Sequence, residues 1–190
     1  FILSAMLFCI TIIITLNLTR DITYKIFSKN TYLILHLLVE FTSALVGFST
    51  FAVLYYTFDL FKQLRYIFLA NVFLIISFLD ILHVMSYDGM PRFLTNNTPQ
   101  KATAYWIIGR LIMSIGLLIF SFIPKEKKTN VNKSIFLGGS IIVLLSIFHI
   151  VTNSTGIIPP LFVEGVGLTP LKVILEYIVV GIYILTIGVL

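Results

Sequence analysis

Residues 66–87 read YIFLANVFLIISFLDILHVMSY, an apolar run that carries Asp80 and His83 in its last third. About 20 apolar residues are enough for a helix to cross a bilayer. An unpaired charged side chain inside the bilayer costs about 3 kcal/mol on insertion scales. The run therefore predicts a membrane-spanning helix whose two polar side chains have partners elsewhere in the chain.

The composition agrees with a membrane protein. Of the 190 residues, 58% are hydrophobic and 11% are charged, and the mean hydropathy is +1.05, which is outside the usual range of soluble domains. The formal charge of +5 lies mainly in the loops, which indicates membrane orientation and not nucleic-acid binding. Cys9 is the single cysteine, which excludes an intrachain disulfide and a thiolate metal cluster.

Polar interruptions divide the chain into six apolar runs, each of which we predict to be a transmembrane helix. The runs cover residues 1–18, 31–58, 66–87, 102–123, 134–152 and 170–190. We therefore predict an all-α, polytopic transmembrane bundle that forms a single domain over 1–190. Because Phe1 and Leu190 both lie inside apolar runs, we expect the chain to be a piece of a longer protein, truncated at both ends.

Lysine and arginine in the loops predict the orientation. The second and fourth loops carry six of these residues, and the first, third and fifth carry five. The cluster KEKK at 125–128 and the lack of Lys and Arg between 153 and 169 favour a cytoplasmic position for loops two and four. Loops one, three and five would then be extracytoplasmic.

Nearly all ionisable and large polar side chains inside the runs fall in one half of the predicted membrane, next to loops one, three and five. We obtain this from the distance of each residue along its helix, at about 1.5 Å per residue. The residues are His36, Glu40, Asp80, His83, Tyr87, Trp106, Arg110, His149, Lys172 and Glu176. Spacings of three and four place most of those in one helix on one face. The pattern predicts a polar cavity about one third of the way into the bilayer.

Several kinds of chemistry fit such a cavity. His36, Glu40, Asp80 and His83 offer two imidazoles and two carboxylates, which can bind a divalent transition metal, although the sequence has no HEXXH motif. A proton relay through the same groups is an alternative.

Arg110 and Lys172 favour an anionic ligand instead, with the carboxylates as counter-ions and loop five as a shaped lid. The predicted walls are Tyr87, Trp106 and Tyr177. A purely structural role is the alternative for some of these residues. Lys172 and Glu176 are spaced as an i,i+4 pair whose charges neutralise each other, and the position of His149 is typical of an interfacial residue.

Four segments of the chain resemble the bacterial membrane-associated sensor domain of the third type. They are HLLVE (36–40), DILHVMSYDGMP (80–91), YWIIGR (105–110) and FVEGVGLTPLKVILEY (162–177). By position, the resemblance implies that the functional residues are His36, Glu40, Asp80, His83, Tyr87, Trp106, Arg110, Glu164, Lys172, Glu176 and Tyr177.

The resemblance also implies a function. Such domains are multi-pass input modules in the bacterial inner membrane, fused to histidine kinases or diguanylate cyclases, and they continue with about two further membrane segments. We therefore expect a non-enzymatic sensor that binds a small molecule or ion, with a cytoplasmic output domain in the same chain, a second copy as partner, and no nucleic acid. The cofactor is undetermined, with a divalent transition metal as the candidate. A transporter or proton-coupled carrier is the alternative, and an intramembrane metalloenzyme is the third.

Overall fold

The computed structural model describes residues 29–92, 94–153 and 156–189, together with residues 7, 10–12, 14, 15 and 17–19. These residues include five long helices: α1 (Lys29–Phe61), α2 (Leu64–Met85), α3 (Pro99–Phe122), α4 (Lys133–Asn153) and α5 (Pro170–Val189). All five are long and apolar enough to cross a membrane. The predicted all-α, polytopic bundle is confirmed, and the predicted run 1–18 lies largely outside the described residues.

The run 31–58 forms one helix, as its length predicts. α1 has 33 residues and, at about 1.5 Å per residue, is long enough to cross a bilayer when tilted. By its internal contacts the chain forms two compact units, 1–39 and 40–190.

Within the second unit, α2 and α3 form the centre of the bundle. They pack against each other, while α4 packs on α2 and α5 packs on α3. α2 supplies the largest share of the buried apolar side chains, among them Ile67, Ala70 and Leu79, and α3 adds Ala104 and Ile107. Because α2 is apolar around most of its circumference, it occupies the interior. The other helices expose apolar side chains, as expected of surfaces that contact lipid.

The loop between α4 and α5 is a small structured element. Phe162–Val163 (β1) pairs antiparallel with Gly167–Leu168 (β2), and the turn between them uses Gly165 at a φ of 78°, a conformation that favours glycine. We call residues 159–168 the hairpin segment. Leu161 at its start is only 2% exposed and packs with the α3 core residues Ala104 and Ile107.

Gln100, in the first turn of α3, holds this hairpin segment. Its Oε1 accepts hydrogen bonds from the backbone N–H groups of Leu161 and Phe162, at 2.7 and 2.9 Å, and its Nε2 donates to the Pro159 carbonyl at 3.0 Å. One side chain thus satisfies three backbone groups of a loop. The segment predicted to be a lid is attached to α3.

At the other end of the bundle, the loops before α2 and before α4 are joined through their backbones. The N–H of Leu64 donates to the Lys127 carbonyl at 2.9 Å, and the N–H of Thr129 donates to the Lys62 carbonyl at 2.8 Å. The side chains of Asp59 and Lys133 also form an ion pair there. Loops two and four therefore form one connected layer.

Two glycines allow helices to approach α2 closely. A Cβ at Gly116 of α3 would lie 2.8 and 2.9 Å from the two methyl groups of Val72, and a Cβ at Gly47 of α1 would lie 2.2 Å from the Ser77 hydroxyl. These separations are shorter than van der Waals contact, so neither position accepts a side chain without movement of α2. Small residues at membrane helix contacts commonly have this role.

We expect Gly116→Ala to lower the free energy of unfolding by about 1–3 kcal/mol, because overpacking forces the helices apart. The measurement is thermal unfolding of the purified protein in detergent. Gly138→Ala is the matched control, since no described residue outside its own helical turn lies within 4 Å of its new Cβ. Adding Val72→Ala should restore part of the loss, and equal effects of Gly116→Ala and Gly138→Ala would contradict the assigned packing.

Candidate functional site

An arginine and two carboxyl groups meet inside the second unit. Arg110 Nη2 of α3 lies 3.7 Å from Asp80 Oδ1 of α2 and 4.0 Å from Glu40 Oε2 of α1. Both distances are within the range of an ion pair but longer than a hydrogen bond. The three residues, each from a different helix, form the group that we call the charge cluster.

The carboxyl groups of the charge cluster are well buried. Asp80 is 4% exposed, and Ser43, one turn after Glu40 on α1, is close enough for its hydroxyl to interact with the Asp80 carboxyl group. Glu40 Oε2 is buried and accepts no hydrogen bond from the residues that the structure describes. An ionised oxygen in this position normally has two or more hydrogen bonds, so Glu40 retains the capacity to accept a donor.

Trp106 connects the charge cluster to α5. The guanidinium carbon of Arg110 lies 5.4 Å from the centroid of the Trp106 ring, and Lys172 Nζ lies 4.7 Å from it. Both separations are within the range of cation–π attraction. Lys172 is 8% exposed and also pairs with Glu176, Nζ to Oε1, at 2.6 Å. The i,i+4 pair predicted from the sequence is present in the structure.

His83 lies one turn after Asp80 on α2 and is joined to α3. Its Nδ1 is 2.8 Å from the Ala102 carbonyl oxygen. Because a carbonyl only accepts, Nδ1 carries the proton, and in the neutral imidazole Nε2 is then the acceptor. Tyr87 lies edge-on to the His83 ring, with centroids 6.5 Å apart.

The structure also describes the remaining predicted site residues. In the first unit, His36 stacks on Tyr32 with ring centroids 5.9 Å apart. Glu164 is exposed in the hairpin turn, and Tyr177 is 73% exposed on α5. His149 is exposed at the end of α4, 3.2 Å from the Asn153 amide, which agrees with an interfacial position.

Two contributors to the site were not predicted from the sequence. Ser43 carries a hydroxyl, and its spacing of three from Glu40 places it on the same helix face, which is the signal that would have identified it. The Ala102 carbonyl orients His83. Because every residue has a backbone carbonyl, the residue type at position 102 could not indicate this contact.

The charge cluster contains one guanidinium and two carboxyl groups. Arg110 keeps its charge at any physiological pH, so it balances one carboxylate. The second carboxyl group, in surroundings poor in water, is stabilised by a proton or by a cationic or proton-donating partner. The site is therefore suited to a positively charged or hydrogen-bond-donating ligand at Glu40.

The described residues form five membrane-length helices and a buried charge cluster, which together define a multi-pass α-helical membrane protein with a polar centre. The sequence matches the family MASE3, a membrane-associated sensor domain, over residues 27–190, and the chain belongs to this family. The resemblance predicted from its four segments is thereby confirmed. Comparisons with curated proteins and with solved structures gave no match.

Removing Arg110 leaves two buried carboxyl groups without their cation. We expect Arg110→Ala to lower the free energy of unfolding by about 3 kcal/mol, the low end for a broken buried pair because Arg110 is part exposed. Adding Asp80→Asn should recover at least about 1 kcal/mol, since it removes the unpaired charge.

The matched control uses Arg65, which lies over the Phe120 ring at the opposite end of the bundle. Thermal unfolding of Arg65→Ala, Asp80→Asn and the double variant should give additive losses. Additive losses for Arg110→Ala with Asp80→Asn would show that the two charges are not coupled.

Proposed function

We propose that this sensor domain detects a small polar ligand or cation at the charge cluster. It would then pass a helix rearrangement to a kinase or cyclase output domain in the same protein. The observation that carries the proposal is the buried Glu40 oxygen, which accepts no described hydrogen bond although it lies 4.0 Å from a guanidinium. Buried ionisable groups in membrane helices are costly, and incomplete pairing indicates that a further partner completes the group.

The geometry supports coupling between ligand and helix arrangement. The charge cluster takes one residue from each of α1, α2 and α3, so a ligand that pulls Glu40 or Asp80 away from Arg110 changes the spacing of three helices. Ligand binding shifts a conformational equilibrium only if the two conformations bind it with different affinity. A cluster with ion-pair distances of 3.7 and 4.0 Å can tighten or open and so provides that difference.

α5 is the helix best placed to transmit the change in helix arrangement towards the output domain. Lys172 in its first turn contacts the Trp106 ring, which also contacts Arg110. A shift of Arg110 would alter the cation–π contacts of Trp106 and thereby the position of the first turn of α5. The hairpin segment leads directly into that turn, because β2 ends at Leu168 and α5 begins at Pro170.

We expect Arg110→Ala and His83→Ala to abolish signal-dependent output while the protein still inserts in the membrane. The reason is that Arg110 balances the carboxylates and His83 joins α2 to α3 beside them. The measurement is the activity of the output domain in cells with and without the signal, with membrane levels determined in parallel. Arg65→Ala is the control and should keep full output. Normal signalling by both test variants would refute the assignment of the site.

A metal ion is a second candidate for the signal, favoured by the tautomer of His83. Metal-binding histidines usually donate their other ring N–H to a carbonyl or carboxylate, as Nδ1 does to Ala102. The residues that would hold the ion are His83 and Glu40, with Asp80 as a further predicted ligand. Arg110 lowers the affinity for a cation at the Asp80 side of the cluster.

If the signal is a metal ion, elemental analysis of the purified protein should find about one divalent transition metal per chain, consistent with a mixed imidazole and carboxylate site. His83→Ala should remove the bound metal. His149→Ala should not, because His149 was not predicted to be a metal ligand. Metal-free protein that responds normally to the signal would leave a polar organic ligand as the candidate.

A further inference from the structure

A group of basic side chains lies where α1 and α3 end and α2 and α4 begin. The segments 59–65 and 123–133 contain six basic and two acidic residues, which gives them a net charge of +4. None of the six basic residues was predicted to bind a ligand, and none belongs to the charge cluster. We call these six residues the basic layer: Lys62, Arg65, Lys125, Lys127, Lys128 and Lys133.

Backbone contacts between loops two and four hold part of the basic layer together. Gln63 and Lys128 face each other in an antiparallel bridge. The carbonyl groups of Lys62 and Lys127 each accept a backbone hydrogen bond from the opposite loop. Lysines that are far apart in the sequence are therefore fixed near one another. Like charges that are held close together repel each other, and an anion beside them offsets this repulsion.

Asp59 balances part of the positive charge. One of its carboxylate oxygens, Oδ1, lies 3.4 Å from Lys62 Nζ, and the other pairs with Lys133. Lys133 also lies over the ring of Tyr55, with Nζ 4.5 Å from the centroid. These contacts explain how Lys62 and Lys133 are accommodated within the protein, and they leave the lysines of loop four to be explained.

The three lysines of loop four are the part of the basic layer that is open to a partner. Lys125, Lys127 and Lys128 are all exposed. They form no ion pair with any residue that the structure describes. Glu126 between them is the single acidic residue of the loop. Loop four therefore presents an excess of positive charge on a backbone that is fixed to loop two.

Apolar side chains border the basic layer on the side of the membrane. Leu60 and Phe61 end α1, Phe122 ends α3, and Ile135 lies in the first turn of α4. All four are more than half exposed, and they lie at the ends of helices long enough to cross a membrane. An acidic protein surface would meet the lysines but not these side chains. A phospholipid has both a charged phosphate and apolar chains at this level, so one molecule can contact both groups of residues.

We propose that the basic layer binds anionic phospholipids in preference to zwitterionic ones. The headgroup phosphate lies beside Lys125, Lys127 and Lys128, whose ammonium groups donate charge-assisted hydrogen bonds to its oxygens. The acyl chains contact Phe122 and the other exposed apolar side chains. Both classes of lipid carry a phosphate, but a zwitterionic headgroup adds an ammonium group that the lysines repel. The proposal does not depend on ligand binding at the charge cluster, because the two sites share no residue.

Binding of an anionic lipid has a structural consequence for loops two and four. A phosphate beside the lysines removes the repulsion between charges that the backbone contacts hold together. It therefore reinforces the attachment of the start of α2 to the chain that leads into α4. A ligand that binds only the folded state raises the temperature of unfolding, so anionic lipid should stabilise the protein against heat.

The test uses the full chain in nanodiscs that contain equal amounts of phosphatidylglycerol and phosphatidylcholine. The protein is then transferred to mild detergent, and the lipids that remain bound are counted by native mass spectrometry. We expect phosphatidylglycerol to be enriched about fivefold or more, since each basic residue near an anionic headgroup contributes roughly a fivefold preference. The triple variant Lys125→Gln, Lys127→Gln, Lys128→Gln should lose this enrichment by about fivefold or more.

The matched control replaces the same three lysines by arginine, which retains the charges and should retain the enrichment. Lys62→Gly is a further variant that separates binding from folding. The φ of Lys62 is 52°, a conformation that favours glycine, so this change removes a charge without backbone strain. It should lower the enrichment about twofold or more without lowering the temperature of unfolding. Equal retention of the two lipids, or unchanged enrichment in the triple glutamine variant, would overturn the proposal and leave an acidic protein surface as the partner.

Discussion

The ion-pair contacts of Arg110 with Asp80 and Glu40 are the constraint on which the helix arrangement depends. A guanidinium in an apolar bundle cannot lose its proton, so the structure has to keep carboxyl groups beside it. Those carboxyl groups come from two other helices, and their pairing with Arg110 fixes which faces of α1, α2 and α3 meet. Apolar packing alone would not do this, because lipid tails solvate an apolar helix face as well as another helix does. The same group that specifies the fold is therefore the group at which we propose that a ligand binds.

The helices around the charge cluster make two kinds of contact, one rigid and one adjustable. Gly116 against Val72 and Gly47 against Ser77 bring helices so close to α2 that they resist sliding. The charge cluster, by contrast, has separations longer than hydrogen bonds, and Trp106 interacts with both Arg110 and Lys172 through a ring face, which tolerates small displacements. A bundle with close backbone contacts and a loosely paired polar centre can change its state without unfolding. This combination is what a sensor requires.

The sequence predicted the class of fold and much of the charge cluster, because both follow from strong energetic rules. Apolar length defines the spans, and the cost of buried charge requires Asp80, Glu40 and Arg110 to find partners at similar depth. The hairpin segment was predicted only as a shaped lid. Its attachment through Gln100 depends on hydrogen bonds to backbone groups, which any residue type provides, so no sequence pattern reveals it. Tyr177 was predicted as an apolar wall of the cavity, but the rotation of α5 about its axis leaves it exposed. Such rotations depend on packing partners.

The backbone link between loops two and four gives the bundle a fixed end. Its hydrogen bonds, from Leu64 to Lys127 and from Thr129 to Lys62, use main-chain groups and hold the start of α2 to the chain that leads into α4. A helix held at one end can tilt more easily than it can translate. Asp80 lies 16 residues from Leu64 in α2, or about 24 Å at 1.5 Å per residue, so a tilt of a few degrees moves its carboxyl group by an ångström or more. The link between loops two and four therefore fixes the start of α2, and a tilt of α2 about that point moves the charge cluster, which lies far from it.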